Sequence, residues 1–127
     1  MEIAVLVGRI LFSFMFIMSG FGHFAGRKMM AGYAQSKGVP MAGFLVPASG
    51  VLALLGGLSI LLGYQARLGA VLLIAFLVPV TFMMHPFWAE KDPMQKIHER
   101  VNFFKNLSLT GAALLVVYFG SGPFSLG

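Results

Sequence analysis

The chain has 127 residues, 58% of them hydrophobic and 10% charged, with a mean hydropathy of +0.88 and a formal net charge of +5. Soluble domains run at roughly 45–50% apolar and about 25% charged, so this composition excludes an ordinary soluble globule and points to lipid. The lack of any cysteine excludes disulfides, thiolate nucleophiles and thiolate ligands, and leaves any electron transfer to a bound group.

A helix that crosses the hydrocarbon needs about 20 predominantly apolar residues, and four windows qualify. The first, residues 3–22 ("IAVLVGRILFSFMFIMSGFG"), is interrupted only by Arg9. An arginine within the apolar run and the acidic Glu2 ahead of it do not match a cleavable leader, so this segment is expected to stay in the mature protein. Next, "RKMMAGYAQSKGVP" reads as a short helix with Met29, Met30 and Tyr33 on one side, Gly38 as its stop and Pro40 beyond, expected to lie on the membrane surface. The second span, 41–64, carries no charge, and Ser49, Ala53 and Gly57 repeat at one-turn spacing, the pattern that lets membrane helices approach closely. "GYQARLG" follows as a tight turn, with Arg67 assigned to lipid headgroups.

The third span, 68–88, is uncharged as far as His85 and ends in "HPFW". The fourth, 99–119, belongs to a helix that begins earlier: Asp92 suits the N-cap, Pro93 the first helical position, and Gln95 completes a capping box. From Pro93 to Phe119 this helix would measure roughly 40 Å against a hydrocarbon core of about 30 Å, so its first two turns should stand among the headgroups. Ser108, Gly111 and Ala112 offer a second small-residue surface. With short connections, the expectation is an all-α membrane protein: one antiparallel four-transmembrane-helix bundle over residues 1–127, with an interfacial helix between helices 1 and 2.

Lysine and arginine set the orientation. Arg27, Lys28, Lys37, Lys91, Lys96 and Arg100 follow spans one and three, with Lys105 close by, whereas the other face holds only Arg67 and Arg9. Both termini are therefore expected to lie away from the cytoplasm. The net charge is then a topological signal that also attracts anionic membrane lipids, and no soluble basic surface remains for nucleic acid.

The same topology sends His23, His85 and His98 to one membrane face. Along the fourth helix Gln95, His98, Asn102 and Asn106 form a polar stripe with Lys105 at its edge, opposite an apolar stripe of Met94, Ile97, Val101 and Phe104. Polar groups at membrane depth turn inward, because acyl chains leave them without partners. His23, His85, Trp88, Asn102, Lys105 and Asn106 are thus candidates to line an interfacial pocket for a quinone headgroup, or less readily a haem; the three dispersed histidines lack zinc spacing, and no metal is assigned. The competing reading is interface anchoring, with His85 and Trp88 in an aromatic belt, Lys105 snorkelling and His98 exposed. Arg9 joins the candidates, since a charge about two turns into a span costs about 2.5–3.5 kcal/mol; its alternative is snorkelling to the nearer interface.

The stretches "GRILFSFMFIMSGFGHF", "LLGYQARLGAVLLIAFLVPVTFMMHPFW" and "NFFKNLSLTGAALLVVYFGSGPFSL" resemble the DoxX family of small bacterial inner-membrane proteins over nearly the whole chain. The resemblance implies a four-helix protein of the plasma (inner) membrane tied to respiratory, sulfur or oxidative-stress redox systems, including subunits of a thiosulfate:quinone oxidoreductase. It carries over Arg9, Ser19, Gly20, Gly56, Gly57, Gly63, Arg67, His85, Pro86, Phe87, Trp88, Lys105 and Asn106 as recurring positions. The expected function is therefore a membrane subunit of a redox system that meets quinone or a partner oxidoreductase at its cytoplasmic-side polar cluster, with no reaction assigned. The alternatives are a non-catalytic scaffold that recruits proteins or lipids and, disfavoured by a second span whose only polar side chains are Ser49 and Ser59, a small transporter.

Overall fold

In the computed structural model, which describes residues 2–126, the chain forms five helices, α1 (Glu2–Ala25), α2 (Arg27–Ser36), α3 (Ala42–Leu62), α4 (Ala66–Met84) and α5 (Pro93–Phe119), with a single 3-10 turn at Phe87–Ala89. All but α2 are long and apolar enough to cross a membrane. The Asp92 carboxylate accepts the Gln95 N–H at 3.2 Å with Pro93 at the first helical position, so α5 starts at the expected cap. The third span runs over Ala66–Ala89, close to the expected 68–88, but its α-helix, α4, stops at Met84 and the 3-10 turn completes it. Pro86 forces the residue before it out of helical backbone, and His85 has left it at φ −125°.

The α2 helix docks through Met30, Ala31 and Ala34 against Val39, Ala42, Val46 and Met84. Met29 and Tyr33, grouped with Met30 in the sequence reading, are exposed instead, because at about 100° per residue the face that holds Met30 and Ala34 cannot also hold them.

α3 is the central helix, with α1 on one side and α4 on the other, while α5 packs on α4. Lipid gives little hydrophobic drive to helix association, so the close approach must come from small side chains. A Cβ at Gly20 of α1 would lie 2.9 Å from the Gly50 carbonyl, and one at Gly57 would lie 3.0 Å from Ile17. On the other face, a Cβ at Gly56 would meet Leu73 of α4 at 2.7 Å, and Gly69 is pressed against the Ser59 side chain. Phe16, Ala53, Ile60, Leu73, Phe76, Leu77 and Ala113 fill the core. The second small-residue surface behaves differently. Ser108 and Gly111 are exposed, and nothing lies within 4 Å of a Cβ at Gly111, because α5 turns Glu99, Phe103, Asn106 and Ala113 inward.

At the end that holds both termini, Arg9 is buried at 7% exposure and does not snorkel. Its Nη1 donates to the carbonyls of Ser121 at 2.9 Å and Pro123 at 2.7 Å, and its Nη2 to that of Phe124 at 2.7 Å. The Leu126 N–H adds a bond to the Leu62 carbonyl at 3.2 Å. Gly63, at φ +67°, lies where a Cβ would strike Ser125 at 2.5 Å. Arg67, assigned to headgroups from sequence, donates to the Tyr118 carbonyl at 3.3 Å and so holds the end of α5. Among the described residues α1 and α5 share no packed helix face, and the C-terminal segment held by Arg9 makes that link.

Arg9→Met should lower stability in detergent by at least about 1.5 kcal/mol, the value of one hydrogen bond to a charged group, and should speed carboxypeptidase digestion of the tail. Gly63→Ala should cost about 1–2 kcal/mol through left-handed backbone strain alone, read by thermal unfolding.

Candidate functional site

The opposite end of the bundle gathers the α2–α3 connection, the end of α4 and the start of α5. Each brings a polar side chain, and the group they surround is Glu99, at 6% exposure. A buried carboxylate is tolerated only when paired and hydrogen-bonded. Glu99 Oε2 lies 3.2 Å from His85 Nδ1 and 3.8 Å from Lys37 Nζ, and Oε1 accepts from Asn102 Nδ2 at 3.5 Å. Lys37 donates to Glu90 Oε1 at 2.7 Å, so one ammonium bridges two carboxylates and ties the α2–α3 connection to the α4–α5 connection. The Glu90 bond holds the Lys37 ammonium above its ordinary 10.5; burial works against this, and Tyr33, Glu90 and Glu99 add to it.

His85 presents Nδ1 to the Glu99 carboxylate, and Nε2 lies outside that contact. When the carboxylate is ionised it only accepts, which makes Nδ1 the donor of the pair. His85 is half-buried, with 22% of its side chain exposed. Phe87 follows beyond Pro86, its N–H bonded to the His85 carbonyl at 2.9 Å. Phe82, Phe87 and Trp88 all meet Phe103 edge-on with ring centroids 5.4–5.5 Å apart, forming an aromatic rim along the α4–α5 connection. Trp88 is 55% exposed, and the Arg100 guanidinium lies 5.6 Å from the centre of the Phe87 ring.

Of the residues singled out from sequence, His85 and Asn102 meet at Glu99, with Trp88 at the rim. Asn106 is buried one turn further along α5. Lys105 is exposed and takes no part. His23 lies elsewhere: its Nδ1 donates to the Ser19 carbonyl at 2.7 Å and its ring packs on Phe76 with centroids 5.6 Å apart. Phe76 precedes His85 by about 13 Å along α4, so His23 sits well below the Glu99 cluster. His98 is exposed, and Arg9 is at the far end of the bundle. The three imidazoles do not converge, because antiparallel order places helix ends on one face without aligning their depths.

Sequence reading missed Glu99 and Lys37. The buried stripe on α5 is Glu99, Phe103, Asn106 and Ala113, with Asn102 half-buried beside it, one residue round from the stripe that starts at Gln95 and His98. Three- and four-residue spacing fits both. The signal that separates them is the cost of leaving an acid within an apolar helix unpaired, which favours the face carrying Glu99. Among the described residues no group of three or more His, Asp or Glu side chains could hold a metal ion.

These observations define a multi-pass membrane protein whose polar chemistry is concentrated at one end of the bundle. The DoxX family model matches residues 4–86, and the chain belongs to the DoxX family. It is 34% identical to inner membrane protein YqjF of Escherichia coli over 98% of this chain and 90% of that protein. It is 30% identical to inner membrane protein YphA of the same organism, over 98% and 88% respectively. A Surfeit locus protein 4 homolog of Schizosaccharomyces pombe is 28% identical over 95% of this chain, which spans 35% of that protein. No solved structure matches the chain. Together with the four apolar helices, these relatives make it a multi-pass inner membrane protein.

Lys37→Met should lower the melting temperature in detergent near neutral pH. Because folding raises the Lys37 pKa, its contribution is complete below 10.5 and is lost as pH rises from there through the raised value, so the gap between wild type and variant should stay constant through neutral pH and narrow above 10.5. Glu99→Gln should cost more stability than Glu90→Gln, since 8% of the Glu99 side chain is exposed against 24% for Glu90.

Proposed function

We propose that this chain is a membrane subunit of a redox system, with both termini away from the cytoplasm, that receives a quinone-type headgroup at His85. The redox assignment follows from the family resemblance. The observation that carries the site is the half-buried imidazole whose Nδ1 is engaged by buried Glu99 and whose Nε2 remains for a ligand. Phe87, Trp88 and Phe103 beside it supply apolar ring surface, and the cluster lies at a helix end, the depth of a headgroup whose tail extends into lipid. The arrangement offers a ring with oxygen substituents one directional hydrogen-bonding atom and flanking aromatics. His23, Lys105 and Arg9, candidates from sequence, take no part in this reading. His85 would hold the headgroup by one hydrogen bond, the aromatic rim would orient the ring, and the Lys37–Glu90 pair would keep the connections closed over Glu99.

A second reading is favoured by one observation. Lys37 takes up one of the two charges of Glu90 and Glu99, which leaves Arg27, Lys28, Lys91, Lys96 and Arg100 in excess over the remaining charge of that pair and Asp92. A scaffold that holds anionic lipid or an acidic partner would use that surface and no ligand.

Extraction in mild detergent followed by mass spectrometry of bound lipids separates the two. Wild type and His98→Ala should carry quinone and His85→Ala should lose it, whereas a quinone-free wild type that still retains a partner oxidoreductase would establish the scaffold. Reporter fusions at the C-terminus should be active on the non-cytoplasmic side; a cytoplasmic signal would invert the orientation.

A further inference from the structure

We infer that Glu99 is the positioning residue of this site, and that by holding the proton on His85 Nδ1 it makes Nε2 a hydrogen-bond acceptor, so that the site prefers the hydroxyl-bearing quinol to the quinone. The inference rests on the quinone reading above and adds the redox form of the ligand. Lys37 at 3.8 Å and Asn102 at 3.5 Å turn their donors toward the Glu99 carboxylate, which is left to accept from His85 at 3.2 Å. The other ionisable groups around Lys37 are Glu90, bonded to it at 2.7 Å, and Tyr33, whose ring centre is 5.5 Å away; both face Lys37. In the neutral imidazole one nitrogen donates and the other accepts, so a proton pinned to Nδ1 leaves a lone pair on Nε2. A quinone ring offers two carbonyl oxygens, which only accept, and would set lone pair against lone pair. A quinol offers hydroxyl groups, and one of them can donate to Nε2. The preference belongs to the pair: without Glu99 the proton is free to move to Nε2, and the sense of the hydrogen bond reverses.

Two measurements on the full chain in detergent test this. In protein labelled with 15N at histidine, with His85→Gln used to assign the signal, neutral His85 should show a protonated Nδ1 and a bare Nε2, and Glu99→Leu should move the proton to Nε2. Trp88, the chain's only tryptophan, lies at the rim and reports binding. Under anaerobic conditions wild type should bind duroquinol about tenfold more tightly than duroquinone, the value of one well-made hydrogen bond, and Glu99→Leu should abolish that ratio. If Glu99→Leu does not fold, the wild-type tautomer and the wild-type ratio decide the matter. A protonated Nε2 in wild type, or equal or tighter binding of duroquinone, overturns the inference while leaving the quinone reading intact. Binding of neither ring, with no quinone co-extracted, overturns both.

Discussion

Close approach of helices without help from the hydrophobic effect is the constraint on which this molecule depends. Acyl chains are as apolar as leucine, so burying leucine between helices gains little, and contact must come from backbones that touch. α3 meets that demand on two faces, with Gly50 and Gly57 against α1 and Gly56 against α4. Once α1 and α4 are fixed on either side of α3, the ends of the helices are fixed too. The α2–α3 connection carrying Lys37 and the end of α4 carrying His85 arrive at the same end, and α5, docked on α4, brings Glu99 between them. The polar site is a consequence of glycine placement in a segment that itself carries no charge.

The two ends of the bundle solve the same problem with different chemistry. Helix ends leave backbone groups without intrahelical partners, and near a membrane they must be satisfied locally. At the terminal end the carbonyls that follow α5 are taken up by Arg9, and Arg67 serves the carbonyl of Tyr118 within its last turn. Cations there also complement the negative ends of the α3 and α5 dipoles. At the other end α4 stops at Met84 and α5 is capped by Asp92, and an ionic network of side chains ties the connections to one another. One end is a clasp of fixed donors on main-chain carbonyls. The other consists of side chains whose hydrogen bonds can be exchanged, and only there does an imidazole nitrogen remain for a ligand.

The helices were legible in sequence because each rests on a local signal: apolar length for the spans, Asp92 and Pro93 for the start of α5, Gly38 for the end of α2. The long-range pairs were not. Nothing local to Lys37 distinguishes a loop cation that faces headgroups from one that reaches Glu90 across 53 positions, and nothing local to Arg9 says that carbonyls more than 110 positions away will receive it. The histidine grouping failed for a related reason. Topology assigns each helix end to a face, but depth within that face depends on how far each helix overshoots, and His23 ends up beside Phe76 and not beside His85. His85, Trp88 and Asn102 do come together, because the first two lie three residues apart around the end of α4 and the third is on the helix that follows, a separation short enough for the chain to dictate.

Charge accounting separates the buried network from the surface around it. Lys37 offsets only one of the two charges of Glu90 and Glu99, so their remaining charge and Asp92 face the more numerous exposed or half-exposed Arg27, Lys28, Lys91, Lys96, Arg100 and Lys105, and the positive face stays positive although three of the chain's four acids lie close by in sequence. A positive face attracts anionic groups in general, but point charges on flexible stems discriminate poorly among them. Discrimination needs a directional group, and in the proposed site that group is the His85 imidazole engaged by Glu99. On that reading the surface cations and the held imidazole divide the work: the first decide which surface is approached, the second which atom of an arriving ring can be bonded.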